Sequence, residues 1–363
     1  MEIYIAIMLM LVFFGIFTDR ELINYQDLTV LNKKWFLISF TTLLFLLSAL
    51  RFNIGTDYEL YENIYRQAGE RELEISILYS YASELFRNYQ LSYQFFVALN
   101  SLIFITIIYF FIRTHSSYYY ISLLTLLGTY MYFTSYNTFR QMTAAALILL
   151  SLLLFFHFRK KILPLLLFLI AVGFHKSTVM YAPLFLLRYF KMSKKFYLFT
   201  IMCCVCAFFL LPETVKVTFF DFLLNQSSFF KEKYEDSEFI EGGARGLTNI
   251  VFFIFYVVLL LKLVLHDSFQ EEQSWIERTF IFYLIIQSFL PYSNITDRMS
   301  ILFELLAICL VPRFIETFHQ IKMKNLVKIG VVMVFIVRAI YVLQLNGDGV
   351  VPYKSILGNV ILF

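Results

Sequence analysis

The chain has 363 residues, of which 60% are hydrophobic and only 15% charged, with a formal net charge of +4. A soluble domain carries about 25% charged residues, so a single water-soluble core is excluded. The small positive excess implies no nucleic-acid partner, because basic residues in so apolar a chain mostly encode membrane topology.

Twelve apolar runs reach or approach the roughly 20 residues that cross a bilayer core. In chain order they are 3–17, 35–50, 92–112, 118–136, 141–158, 162–174, 178–190, 196–211, 247–265, 279–291, 299–312 and 326–345. They predict an all-α, polytopic integral membrane protein with about twelve transmembrane helices, forming a single transmembrane domain over 1–363. The first run has no basic segment before it and no small-residue cleavage site after it. It is expected to stay as a span rather than be removed as a signal peptide.

Alternate connections gather the basic residues: Arg20 with Lys33 and Lys34, Arg113, Arg159 to Lys161, Arg188 to Lys195, Lys262 with Arg278, and Arg313 to Lys328. Together they hold more than half of the 30 Lys and Arg. This side is therefore expected to be cytoplasmic, with both termini outward. Two long connections, 51–91 and 212–246, then become outward loops. In the first, residues 73–87 predict a short interfacial helix, because Ile77, Leu78, Tyr81 and Leu85 share one face. In the second, a charged stretch over 228–241 runs into Gly242-Gly243-Ala244-Arg245-Gly246, the pattern of a hinged lid. Cys203 and Cys206 form a C-x-x-C inside an apolar run with no second ligand pair, which reads as structural.

A few basic residues break the topology rule. Arg51, Arg140, Lys176, Arg245 and Arg298 sit at or near outward ends of spans. A partly desolvated Arg is costly unless paired. Its planar fork also matches phosphate oxygens. These side chains either snorkel or pair with Asp57, Asp297 or Glu304, or they converge on an anionic headgroup or a pyrophosphate. Gly173-Phe174-His175-Lys176-Ser177 interrupts an apolar stretch too short for two spans and a loop, so a helix break at membrane depth is expected. A His there can act as a base near neutral pH. Arg51-Phe52-Asn53-Ile54-Gly55-Thr56-Asp57-Tyr58 places an Arg, a turn-forming Gly and a carboxylate directly after a span. Asp57 can orient a hydroxyl, act as a base, or pair with Arg51. Tyr130, Tyr132 and Tyr136 suit either sugar stacking or the interfacial aromatic belt. Nucleotide-binding loops, zinc-protease motifs and an Asp-x-Asp metal motif are all missing, which disfavours a nucleotide-driven cytoplasmic enzyme.

Together, R-F-N-I-G-T-D-Y (51–58), F-R-Q followed by small residues (139–146), G-F-H-K-S (173–177) and N-x-x-D-R (294–298) resemble the EpsG/Wzy-type polysaccharide polymerases of bacteria. The resemblance runs from about 45 to 310. It implies a fold like the lipid-donor (GT-C-like) glycosyltransferases. It implies polymerisation of undecaprenyl-pyrophosphate-linked oligosaccharide units into O-antigen, capsular or exopolysaccharide at the outer face of the plasma membrane, with undecaprenyl pyrophosphate released. A flippase and a Wzz-like chain-length regulator are the implied partners. Arg140, Arg245 and Arg298, with Lys176, are then expected at the pyrophosphates, and Arg51 with Asp57 at the acceptor site. Tyr136 and Asp297 are expected to bind sugar. His175 is the first candidate base and Asp57 the second. No metal or cofactor is expected, since Arg can supply the charge. An O-antigen ligase or other lipid-donor transferase is the nearest alternative. A flippase of lipid-linked oligosaccharide is the alternative of another class, and a membrane acyltransferase is a third.

Overall fold

The computed structural model describes residues 1–19, 32–68, 77–190, 193–225, 246–266 and 274–358. Every long apolar run becomes a helix, because a chain in hydrocarbon must satisfy its backbone groups within the segment. Two compact units result: residues 1–185 with 311–363, and residues 186–310.

The first unit contains α1 (Glu2–Ile16), α2 (Lys33–Leu50), α3 (Tyr58–Arg66), α4 (Ile77–Asn88), α5 (Tyr93–His115), α6 (Tyr119–Gly128), α7 (Met131–Asn137), α8 (Phe139–Phe156) and α9 (Ile162–Phe174). After α9 comes a 3₁₀ segment (Lys176–Arg188). Ser92 caps α5 by accepting a hydrogen bond from Phe95 N, and Asn32 caps α2 by accepting from Lys34 N. Such side-chain acceptors satisfy donors that the first turn leaves open. Around α8 pack α5, α7 and α9, and α2 packs on α5. Gly128 of α6 lets Phe335 approach so closely that a Cβ there would sit 2.5 Å from the Phe335 Cβ. Small residues allow this kind of close helix crossing in membranes.

The second unit contains α10 (Lys194–Leu210), α11 (Glu213–Asn225), α12 (Leu247–Leu265), α13 (Trp275–Phe289) and the first part of α14 (Asn294–Glu316). The rest of α14 from Val311 on, and α15 (Ile321–Leu345), belong to the first unit. Within the second unit Phe208 stacks on Phe253 at 3.7 Å, and Tyr256 meets Phe280 and Tyr283 edge-on at 5.0 Å.

Among the described residues, five helices are long and apolar enough to cross a membrane: α2, α5, α8, α12 and α15. A sixth crossing results if α10 and α11, bent by 115°, form one broken span. The chain is therefore a multi-pass membrane protein. Of the dozen spans expected, the described residues contain these five or six, together with the shorter apolar helices α1, α6 and α9. The run expected over 118–136 is not one helix. It breaks at Tyr130, whose φ of +71° lies in the left-handed region. The run expected over 178–190 is 3₁₀ helix with Pro183 inside it. On α9, Ile162, Leu165, Leu166 and Leu169 are exposed, the pattern of a lipid-facing stripe.

The connection expected as an outward loop over 51–91 contains two packed helices instead. α3 turns Tyr58, Tyr61 and Tyr65 to one side, the helical i, i+3, i+7 spacing. They pack against Tyr79 of α4, Tyr93, Phe96 and Val97 of α5, and Phe139 of α8. The interfacial helix expected over 73–87 corresponds to α4. Ile77, Tyr81 and Leu85 are exposed along it, while Tyr79 and Ser83 are buried. Leu78 leaves that face and packs against Gly173 of α9.

One buried contact has no counterpart in the sequence reading. Lys328 was grouped with the basic loop residues, but it lies within α15 and pairs with Asp19 at 2.6 Å. Their side chains are 1% and 2% exposed. Tyr120 donates to the same carboxylate oxygen, and the Lys328 ammonium sits 4.1 Å from the Tyr118 ring centroid.

Candidate functional site

The site grows from the way α2 ends. Beyond Leu50 the chain turns through Asn53 and Gly55, with φ of +48° and +100°. Gln94 of α5 covers this end by donating to the carbonyls of Ala49 and Arg51. The turn is then bound to a segment far along the chain. Phe52 N donates to Lys354 O, Gly55 N to Gly349 O and Thr56 N to Asp348 O, at 3.0, 3.1 and 3.2 Å. Tyr353 donates to Leu47 O, and Tyr4 of α1 donates to Val350 O. Residues 346–356 thus act as a strap across the 51–57 turn. The sequence reading assigned this segment nothing.

Arg51 lies beneath the strap and is 2% exposed. Its Nη1 donates to Ser48 Oγ at 2.9 Å and its Nη2 to Tyr136 O at 3.5 Å. The guanidinium rests 4.5 Å from the Tyr136 ring centroid. Its Nε finds no partner, and no carboxylate pairs with it among the described residues. The alternative in which Asp57 neutralises Arg51 is therefore not realised. Below Arg51, Ser48 hydrogen-bonds Ser101 at 2.8 Å. Both line a small cavity with Asn100, Ser135 and Thr143. A buried cation at this depth is tolerated only with such polar and aromatic company.

Arg140 opens α8, just after the short α7 that carries Tyr136. Its guanidinium lies 5.1 Å from both the Tyr61 and the Tyr79 ring centroids. Two ring faces hold one planar cation, an arrangement that suits Arg better than Lys. Its Nε is buried without a partner, and again no carboxylate pairs with it among the described residues. Arg51 and Arg140 thus flank one short stretch of chain, 136–140. Tyr136 is fully buried, donates to Tyr132 and carries Arg51 on its ring.

Asn137 completes the stretch. Its Nδ2 donates to Asp348 O at 2.9 Å, while its Oδ1 is buried without a partner against Gly55. Asp348 is half-buried. Burial first, and then the nearby Asp57 carboxylate, raise its pKa above the ordinary value, with Asn137 pulling the other way. Gly55 is required here on two counts: its φ is left-handed, and a Cβ would strike Asn137 Oδ1. Gly55→Ala is expected to destabilise the protein by about 2–4 kcal/mol, from the left-handed conformation and the overpacking. Denaturant unfolding in detergent reads this, and an unchanged midpoint would refute the close approach.

The remaining predicted residues distribute as follows. α9 ends at Phe174, and His175 breaks the helix with φ −151° before the 3₁₀ segment. Phe174 packs against the aromatic cluster that holds Arg140, so the Gly-Phe-His segment and Arg140 share one neighbourhood. Lys176 is exposed and His175 half-buried. Asp297 and Arg298 lie in the first turn of α14, in the second unit. Arg245 and the charged stretch over 228–241 lie outside the described residues. The sequence reading missed Tyr61, Tyr79, Asn137 and Asp348. Of these, only the tyrosine spacing on α3 carried a visible signal, as a helical stripe.

Fold and site together define a multi-pass helical membrane protein with a buried cationic centre walled by tyrosine. The chain belongs to the EpsG family, the family of Wzy-type polysaccharide polymerases: that family's model matches residues 34–355. The match takes in every predicted site residue and reaches the strap at Ser355. Neither the curated proteins nor the solved structures yield a match.

Proposed function

We propose that this protein polymerises oligosaccharide units carried on undecaprenyl pyrophosphate, acting at the outer face of the bacterial plasma membrane. Family membership supports the polymerase role. The observation that carries the finer reading is the pair of guanidinium groups, Arg51 and Arg140, at the stretch 136–140, with no carboxylate partner among the described residues. A buried cation with unused donors has electrostatic capacity left for an anion. A diphosphate on a lipid carrier is an anion that reaches a membrane-embedded site.

The chemistry agrees with that assignment. Pyrophosphate is a good leaving group, so the main task is to stabilise the charge that develops on it. Preorganised donors in a low-dielectric site do this effectively. Arg140, fixed between two rings, and Arg51, fixed on Tyr136, reorganise little when the charge appears. Motif resemblance alone assigns Arg245, Arg298 and Lys176 a role at the diphosphate. The acceptor hydroxyl needs orientation and a place for its proton. A full set of about a dozen spans, counting the short helices as crossings, and a likeness to lipid-donor glycosyltransferases belong to the same proposal. So do the outward placement of both termini and partnership with a flippase and a chain-length regulator.

The test is reconstitution. Protein purified in detergent is mixed with lipid-linked units extracted from a strain deleted for this gene. A ladder of polymer still attached to lipid is the expected product. A ligase would instead move glycan to a different acceptor, and a flippase would leave the units unchanged. Either outcome would overturn the polymerase assignment.

A further inference from the structure

We propose that Asp348, delivered to the site by the C-terminal strap, accepts the proton of the attacking sugar hydroxyl. This rests on the polymerase reading and extends it. In the step proposed, the acceptor hydroxyl oxygen bonds to the donor's anomeric carbon as the bond from that carbon to the pyrophosphate oxygen breaks. The electron pair leaves on undecaprenyl pyrophosphate. The hydroxyl proton passes to the Asp348 carboxylate and from there to water.

Three observations place Asp348 in that role. The first is position. The consecutive residues Tyr136 and Asn137 touch both segments: Tyr136 accepts from Arg51 and stacks on it, and Asn137 donates to the Asp348 backbone carbonyl. The backbone contacts from Thr56 and Gly55 fix the same short segment from the other side. An anion-binding group and a proton acceptor thus sit at one turn of chain, where leaving group and nucleophile must meet.

The second is that the charges stay apart. Neither Arg51 nor Asp348 forms an ion pair among the described residues. Asp348 instead lies near a second carboxylate, Asp57, within electrostatic reach. A half-buried carboxylate beside a like charge is unfavourable in a purely structural role, because desolvation and repulsion both oppose ionisation. The same two effects raise its proton affinity, the direction that favours a carboxylate as proton acceptor.

The third is a buried donor that no group among the described residues uses. Tyr130 is 7% exposed and its hydroxyl has no hydrogen-bond partner. That hydroxyl lies within electrostatic reach of the Asp348 carboxylate. Tyr130 also sits at φ +71°, a conformation that a bulky side chain adopts only under constraint. A buried phenol without a partner, within electrostatic reach of a carboxylate, matches the hydroxyl-rich edge of a sugar. The phenol can donate to one oxygen while the Asp348 carboxylate accepts from a neighbour.

The experiment uses the same reconstituted system. Asp348→Asn is expected to lower kcat by roughly 10²–10⁴-fold, the usual contribution of a general base, with little change in KM for the lipid-linked unit. Undecaprenyl pyrophosphate is expected to stabilise the variant against heat as it does the unaltered protein. Asp348→Ala, with the carboxylate removed, is expected to regain rate on addition of formate, a signature that a merely structural residue would not produce. If Asp348→Asn fails to fold, the formate response of Asp348→Ala decides alone, and no response overturns the proposal. Polymer from the unaltered protein together with full activity in Asp348→Asn would sink the role of Asp348 and leave the polymerase reading standing. Absence of polymer from the unaltered protein would overturn both.

Discussion

Replacing Arg140 with lysine is expected to lower polymerisation by about 10²–10³-fold, close to the loss expected from Arg140→Ala. Charge is conserved in the first variant, so the loss would come from geometry. The guanidinium lies 5.1 Å from two tyrosine ring centroids, one from α3 and one from α4. A planar, weakly hydrated cation can stack on both faces and still present its edge to a phosphate. An ammonium on a flexible stem keeps its hydration and reaches one ring at a time. Initial rates of ladder formation by the purified variants measure this. Unaltered rates in Arg140→Lys would mean that positive charge is enough and that the tyrosine walls serve packing alone. Tyr61 and Tyr79 come from the connection between α2 and α5, so the prediction also tests whether that connection is part of the site.

The second large effect concerns stability. Lys328→Met and Asp19→Asn are each expected to destabilise the protein by about 3–5 kcal/mol, because each leaves a buried charge or its polar partner uncompensated. The double variant Asp19→Leu with Lys328→Met is expected to recover most of that loss, since apolar replacement of a whole buried pair is often neutral or stabilising. The geometry supporting this is the 2.6 Å contact between side chains only 1% and 2% exposed. Denaturant unfolding in detergent, with all three variants compared, is the measurement. Single variants within about 0.5 kcal/mol of the unaltered protein would match an exposed pair rather than a desolvated one. The pair joins the end of α1 to α15, so its loss is expected to loosen the N-terminal helix first.

Much of the architecture was legible in the chain. The apolar runs at 162–174 and 247–265 coincide with α9 and α12, and most others agree to within a few residues. Hydrophobicity is a local property, and a membrane demands helix wherever it is sustained. The break at Gly-Phe-His was legible for the same reason, because the stretch was too short for two spans and a turn. Tyr130 was not. Nothing in a continuous apolar run announces a left-handed residue inside it, and the break between α6 and α7 depends on what packs around them. Connections read as loops when they lack apolar length, and so α3 was missed, while α4 was expected as an interfacial helix without its packed tyrosine face. Their buried face is tyrosine, which hydropathy counts poorly but which buries well against other rings.

By itself the sequence determined that this chain is helical and crosses the membrane several times, and that Arg51, Arg140 and the Gly-Phe-His segment break its apolar regularity. Those features are properties of neighbouring residues, and the bilayer acts on them directly. Which exceptions share a site was decided only by the tertiary structure. Asn137 meets Asp348 across 211 positions of chain, and Asp19 meets Lys328 across 309. Contacts of that range leave no periodicity to read, because their energy exists only once the intervening helices have packed. The same packing leaves Arg51 without a carboxylate partner among the described residues and brings the Asp348 backbone to Asn137, the neighbour of the Tyr136 that carries Arg51.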